Sequence, residues 1–114
     1  MKIWLLALTF TVTLPVHAEF MTGNDLYELY KASSRAEQAS ATDRDFREAN
    51  EYLGYVTGVW DAIDGTIACT NDNVTRGQIG DMVGEYLKAN AAFRDKPASS
   101  IIMFYMSNKY PCKK

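Results

Sequence analysis

The chain contains almost no histidine and very little cysteine. Its 114 residues include one His and two Cys. The single histidine, His17, lies in an N-terminal stretch that we predict to be removed, so residues 19–114 contain none. A Ser-His-Asp triad, a Cys-His pair and a His-ligated zinc site are therefore excluded, and two cysteines alone cannot complete a structural zinc site. We expect no metal and no cofactor.

The chain also lacks an excess of positive charge. It has 12 Lys+Arg against 14 Asp+Glu, with a formal net charge of −2. Proteins that bind nucleic acid usually carry a basic patch or stripe, so we predict no nucleic-acid partner. Aromatic residues make up 12% of the chain, which is typical of a folded domain, and the length fits one domain.

The first 18 residues have the features of a secretory signal peptide. Lys2 is followed by an apolar run from Ile3 to Leu14, and Val16 and Ala18 are small residues at the positions that a signal peptidase reads. We predict a signal peptide at 1–18 and an exported domain at 19–114. A retained N-terminal anchor is the alternative. No later run is long enough to span a bilayer, so we expect no stable membrane insertion.

The two cysteines are expected to form a structural disulfide. Cys69 and Cys112 are the only cysteines of a chain that we predict to be exported, and exported proteins generally oxidise such pairs. The chain-entropy model gives about 4 kcal/mol of stabilisation for a loop of this length. A redox-active pair is the alternative, but the Cys-X-X-Cys spacing of such pairs is missing.

The apolar residues of the exported part recur at helical spacing and predict a compact, all-α, four-helix domain with one disulfide. The first helix begins after Thr22, which has the position of an N-cap. Thr75 caps the third helix, with Gln78 reaching back to complete the capping box. The fourth helix opens near Pro97 and ends near Tyr110. Its middle is apolar on all sides, so we expect it to be buried or packed against a second subunit, which makes a homodimer possible.

The second helix has the clearest pattern and should be the central one. Its apolar residues alternate in steps of three and four: Phe46, Ala49, Leu53, Val56, Trp60, Ile63 and Ile67. Gly54 and Gly58 lie on another face, where each costs about 1 kcal/mol relative to Ala. We expect a second helix or a partner protein to cover these two glycines.

Catalytic chemistry has little support in the sequence. Asp61 and Asp64 lie one helical turn apart, a spacing that can serve acid–base or metal chemistry. The glycine-rich face favours instead a buried, hydrogen-bonded Asp61. We predict no catalytic residues and no enzyme activity.

Several motifs together resemble the Rap/Tai immunity-protein family. They are Gly54-Tyr55-Val56-Thr57-Gly58-Val59-Trp60-Asp61, Cys69, Val74-Thr75-Arg76-Gly77-Gln78, Tyr86-Leu87 and the closing Tyr110-Pro111-Cys112. Members of this family are small exported helical proteins encoded beside type VI secretion effectors, notably peptidoglycan amidases. Many relatives have a second cysteine pair that links the first helix to the start of the second. Tyr27, Tyr30 and Tyr52 occupy that neighbourhood here.

The resemblance implies a periplasmic protein that binds and neutralises a protein toxin, such as an effector amidase or related cell-wall hydrolase, without catalysis. A small periplasmic acid-stress chaperone is the alternative, because such chaperones share this size, compartment and single disulfide. A chaperone should expose apolar surface on acidification, whereas an immunity protein should bind one partner tightly at neutral pH.

The segment from Ser33 to Asp45 is the predicted partner-binding region. It contains no large apolar residue, and we expect its charged side chains to be free for a partner: Arg35, Glu37, Asp43 and Arg44. In that hypothesis the charges fix the orientation of the toxin, and the neighbouring Tyr30 or Phe46 supplies apolar contact. One alternative is an exposed connector with no binding role, since connecting segments are commonly polar. In that case we expect the binding site on the third helix, near Arg76 and Asp81.

Overall fold

The computed structural model describes residues 20–113, so the predicted signal peptide at 1–18 lies outside the described residues. Four α-helices follow one another, with one 3₁₀ turn at Ala91–Phe93 before the last: α1 (Gly23–Ala36), α2 (Asp43–Ile63), α3 (Arg76–Ala89) and α4 (Ala98–Lys109). The predicted all-α four-helix fold is confirmed. As expected for the central helix, α2 contacts each of the other three.

Threonine begins three of the helices. The side chains of Thr22, Thr42 and Thr75 each accept a hydrogen bond from a backbone N–H in the first turn of α1, α2 and α3. In α1 and α2 the third residue is an aspartate that bonds back to the threonine N–H, which lowers the pKa of Asp25 and Asp45. The caps at Thr22 and Thr75 were predicted, but the return bond from Gln78 is not formed.

The core lies where α2 meets the other helices. Its fully buried large side chains come from all four: Leu26, Val56, Ile79, Val83, Leu87, Ile102 and Met106. Thr57 is the buried polar side chain of α2, and its hydroxyl donates to the carbonyl oxygen of Leu53 at 2.7 Å. The hydroxyl is therefore satisfied within its own helix, as a buried polar group must be.

The second helix is shorter than its apolar pattern predicts. It ends at Ile63, because Asp64 is extended and Gly65 has a φ of 88°, in the left-handed region that stops a helix. Ile67, predicted as the last residue of the apolar stripe, lies beyond the helix and is 47% exposed. Phe46, predicted as the first, is 50% exposed. Tyr52, which lies outside the stripe, is buried.

No helix of the described residues covers Gly54 or Gly58, so the predicted helix contact there is wrong, and cover by a partner protein stays a prediction. A methyl group placed on either glycine would have no other heavy atom of the described chain within 4 Å. The covered glycines are Gly23, at the start of α1 against Ile101, and two glycines of α3. A methyl group at Gly84 would overlap the ring of Tyr30, and one at Gly80 would lie 3.3 Å from Leu53 Cδ1.

The predicted disulfide between Cys69 and Cys112 is present, and it joins residues 43 positions apart in the sequence. It joins the segment after α2 to the segment after α4. The backbone supports the same contact, since Cys69 N donates to Tyr110 O at 2.8 Å. Trp60 Nε1 also donates to Thr70 Oγ1 at 3.1 Å, which attaches the cysteine loop to the end of α2.

The fourth helix is only partly enclosed. Ile101, Ile102 and Met106 are buried, whereas Phe104 is 63% exposed. The sequence of this helix is apolar on all sides and therefore predicts more burial than the described chain provides. Among the described residues, no helix is both long and apolar enough to cross a membrane.

Candidate partner-binding surfaces

The two carboxylates considered for catalysis do not form a common site. Asp64 Oδ1 accepts hydrogen bonds from the backbone N and the hydroxyl of Thr70, at 3.0 and 2.9 Å, and so shapes the loop after α2. Asp61 is exposed, and the prediction of a buried Asp61 is wrong because its face of α2 is open like that of Gly58. Within residues 20–113, no three His, Cys, Asp or Glu side chains are grouped to hold a metal ion.

The predicted binding residues lie at the α1–α2 corner, which we define as residues 35–44. Arg35 is in the last turn of α1, Glu37 follows that helix, and Asp43 and Arg44 begin α2. The connector between the helices is therefore residues 37–42, and all four predicted side chains are exposed. Their role in binding stays a prediction.

Both arginines of the corner are already in ion pairs. Arg35 Nε lies 3.1 Å from Asp45 Oδ1, so it joins the end of α1 to the start of α2. Arg44 Nε lies 2.6 Å from Glu48 Oε1, one turn further along α2. Exposed pairs of this kind are screened by solvent and stabilise the fold little, and a partner would have to replace them to use the arginines.

A second surface, which we call the aromatic face, lies where α3 and α4 meet. Phe93 and Phe104 are 54% and 63% exposed. They border a cavity of about 210 Å³ whose other walls are Tyr86, Lys96, Ser100 and Ile101. An exposed apolar patch with a concave centre is typical of a protein-binding site.

The aromatic face continues past Tyr86 into a second hollow of about 370 Å³. Its lining residues come from α3 and α4 and the turn between them: Asp81, Met82, Glu85, Tyr86, Ala89, Asn90 and Tyr105. Tyr86 borders both hollows, and its ring centroid lies 4.6 Å from that of Tyr105. These two rings, tilted by 31° relative to one another, form what we call the Tyr86–Tyr105 ridge between an apolar hollow and an acidic one.

The acidic hollow has two carboxylates without a cation. Asp81 and Glu85 are four residues apart on α3, where like charges repel across one turn. Among the described residues, no Lys or Arg forms an ion pair with either one. The hydroxyl of Tyr30 donates to Glu85 Oε1 at 2.8 Å. Burial, together with this bond and the carboxylate charge, raises the pKa of Tyr30 to about 12.

The two surfaces differ in the binding energy they can supply. A buried aromatic side chain covers about 150–250 Å², so each half-exposed phenylalanine still offers on the order of 100 Å² to a partner. At about 25 cal/mol per Å², covering one ring contributes about 2.5 kcal/mol. This exceeds what an exposed ion pair at the α1–α2 corner contributes, so the aromatic face is the stronger candidate for an anchor.

Sequence reasoning did not identify the phenylalanines of the aromatic face. Phe104 lies in a run that is apolar on all sides, so its periodicity does not indicate which side chain faces solvent. Phe93 had a usable signal, because it is a large apolar residue in the otherwise small and polar link between α3 and α4.

A third concavity, between α2 and α4, includes Gly54 and Gly58.

Comparison with known proteins identifies the family. No curated protein and no solved structure matches the chain. The family model of Rap1a immunity proteins matches residues 22–112, which includes all four helices and both cysteines. The chain therefore belongs to the Rap1a immunity protein family.

Proposed function

We propose that this protein acts in the periplasm as a stoichiometric inhibitor of one type VI secretion effector, such as a peptidoglycan amidase. It binds the effector and performs no chemistry of its own. The observation that carries this proposal is the match to immunity proteins over residues 22–112, because immunity proteins protect by binding a toxin.

The disulfide supports action outside the cytoplasm. Cys69 and Cys112 close a long loop, for which the chain-entropy model gives about 4 kcal/mol of stabilisation in an oxidising compartment. An inhibitor has to remain folded while it waits for its toxin. The predicted signal peptide at 1–18 supports the same location, since it would direct the chain across the inner membrane.

The aromatic face supports inhibition by binding. A stoichiometric inhibitor needs tight binding, and tight interfaces depend on a few large side chains that become fully buried. Phe93 and Phe104 are such side chains, and the described chain leaves them more than half exposed. The four helices hold this face in place, so little conformational order has to be gained on binding.

Protection of cells tests the proposal. Bacteria that export a peptidoglycan amidase effector, chosen first from the genes next to this one, should lyse, and coexpression of the full chain should prevent lysis. A matched control lacks residues 2–18, so that the same domain stays in the cytoplasm and should not protect. Equal protection by this control would contradict periplasmic action.

A binding assay separates the proposal from the chaperone alternative. The processed protein should bind the inactive amidase at neutral pH with one-to-one stoichiometry, measured by calorimetry. It should not suppress aggregation of unrelated acid-denatured proteins. Aggregation suppression without amidase binding would contradict the immunity function and favour the chaperone.

A further inference from the structure

We infer that the aromatic face receives a segment of the effector that inserts a large apolar side chain between Phe93 and Phe104. The same segment places a Lys or Arg side chain against Asp81 and Glu85. This inference rests on the proposed function and specifies the surface and the chemistry of the bound segment.

The apolar half of the inference follows from the shape and the lining of the cavity. The space of about 210 Å³ lies between two phenylalanine rings, with Ile101 as its buried wall. Polar side chains border it only at Lys96 and Ser100. Because nearly all of the lining surface is apolar, a charged or strongly polar group would lose its water there for few hydrogen bonds, so the cavity favours an aliphatic or aromatic side chain.

The charged half follows from the carboxylates beyond Tyr86. Asp81 and Glu85 repel one another, and no cation of the described chain forms an ion pair with them. Tyr30 holds one oxygen of Glu85, which keeps this carboxylate in place. A guanidinium or ammonium group bound between them would relieve the repulsion, and Arg could bond a carboxylate through two parallel N–H groups.

The two halves are joined by the Tyr86–Tyr105 ridge. Because Tyr86 borders both hollows, one short segment can contact both without leaving the surface. The apolar residue and the cation of that segment then lie on either side of the ridge. This pairing gives specificity, since an apolar segment with an acidic neighbour would be repelled by Asp81 and Glu85.

Matched substitutions test each half. Phe104→Ser removes one wall of the apolar cavity, and Ile67→Ser is its control because Ile67 is 47% exposed but lies in the loop after α2. Asp81→Asn with Glu85→Gln removes the charge and keeps an acceptor for the Tyr30 hydroxyl. Asp61→Asn is the control for loss of one exposed carboxylate. Circular dichroism and melting temperature establish that every variant is folded.

Each processed variant is titrated with a catalytically inactive form of the amidase from which the full chain protects cells. We expect Phe104→Ser to weaken binding at least tenfold, or about 1.4 kcal/mol. We expect the Asp81/Glu85 variant to weaken binding similarly and to lose most of its salt dependence. Both controls should bind like the wild type.

Three results would overturn the inference in distinguishable ways. If the wild type binds and both face variants bind equally well, the effector uses another surface and the proposed function stands. If the wild type does not bind, the proposed function fails and the inference fails with it. If the wild type sediments as a dimer that Phe104→Ser dissociates, the face belongs to a second copy of this chain.

Discussion

The helices α2 and α3 each carry two glycines four residues apart, and the surroundings of the two pairs are opposite. On α3, the ring of Tyr30 lies directly against Gly84, and Leu53 and Tyr52 lie over Gly80. On α2, no other heavy atom of the described chain comes within 4 Å of a methyl group placed at Gly54 or Gly58. The same spacing of glycines therefore occurs where side chains cover the helix, on α3, and where the helix surface is open, on α2.

The filled pair explains why α3 contains glycine. The absence of side chains lets two tyrosines approach the α3 backbone closely, and the Tyr52 hydroxyl donates to the carbonyl oxygen of Gly80. Tyr30 and Tyr52 also pack together, with ring centroids 5.4 Å apart. The same region joins α1, α2 and α3, so packing there offsets the low helix propensity of glycine. The open pair has no such compensation within the described chain.

Substitution of Gly84 should give the largest effect. A methyl group there overlaps the Tyr30 ring, which is packed against Tyr52 and cannot move without opening the contact between α1 and α3. We expect Gly84→Ala to lower the free energy of unfolding by about 2 kcal/mol, because overpacking outweighs the gain in helix propensity. Urea denaturation measures this value. Equal or greater stability would mean that the ring moves freely.

Substitution of Gly58 should give the next largest effect, with the opposite sign. Its methyl group would meet no other part of the described chain, so only the propensity gain of about 1 kcal/mol remains. We expect Gly58→Ala to raise the free energy of unfolding by nearly that amount, and Gly54→Ala to behave alike. A concentration-dependent loss of stability would instead show that a second copy covers the groove between α2 and α4.

The contrast also shows what could be predicted from sequence. Thr22 and Thr75 identify their helices because capping is local, and the disulfide follows from export and an even cysteine count. The end of α2 was misplaced because apolar spacing continues to Ile67, while Gly65 ends the helix through its backbone conformation. Tyr30 and Gly84 are far apart in sequence, so no local pattern indicates that one covers the other.

The candidate binding surfaces likewise have features that the local sequence predicts and features that depend on how the helices pack. The polar character and exposure of the α1–α2 corner were predictable from its composition. The ion pairs of Arg35 and Arg44 depend on where α1 ends relative to α2, which composition does not determine. The exposure of Phe104 likewise depends on which side of α4 the other helices cover.

Removal of the Tyr30 hydroxyl tests the contact between Tyr30 and α3, and it should change the free energy of unfolding less than Gly84→Ala or Gly58→Ala. Tyr30→Phe keeps the ring over Gly84 and loses the hydrogen bond to Glu85. This hydrogen bond is exposed to solvent, so its contribution to stability is small. We expect a loss of about 0.5 kcal/mol at neutral pH. Tyr30→Leu would lose the ring itself and should cost more, which separates ring packing from hydrogen bonding.

The pH dependence of the free energy of unfolding provides a second test of the Tyr30 hydroxyl. Burial and Glu85 raise the pKa of Tyr30 from 10.0 to about 12 in the folded protein. The neutral tyrosine therefore stabilises the fold fully below pH 10, and this contribution is lost as the pH rises through about 12. We expect the free energy of unfolding to fall over this interval, and Tyr30→Phe to reduce the fall. An identical decline in Tyr30→Phe would contradict the role of this hydroxyl.

Gly80 lies between the two extremes and should give the smallest effect. A methyl group there would be 3.3 Å from Leu53 Cδ1 and 3.6 Å from Tyr52 Cε1. The first distance is slightly short, but Leu53 is only partly buried and its methyl group can move by rotation of the side chain. The cost of that adjustment opposes a propensity gain of about 1 kcal/mol, so we expect Gly80→Ala to change the free energy of unfolding by less than about 0.5 kcal/mol. A loss comparable to that of Gly84→Ala would show that the contact between α2 and α3 is as rigid as the one that Tyr30 makes. A gain comparable to that of Gly58→Ala would show that Gly80, despite its neighbours, is open in solution.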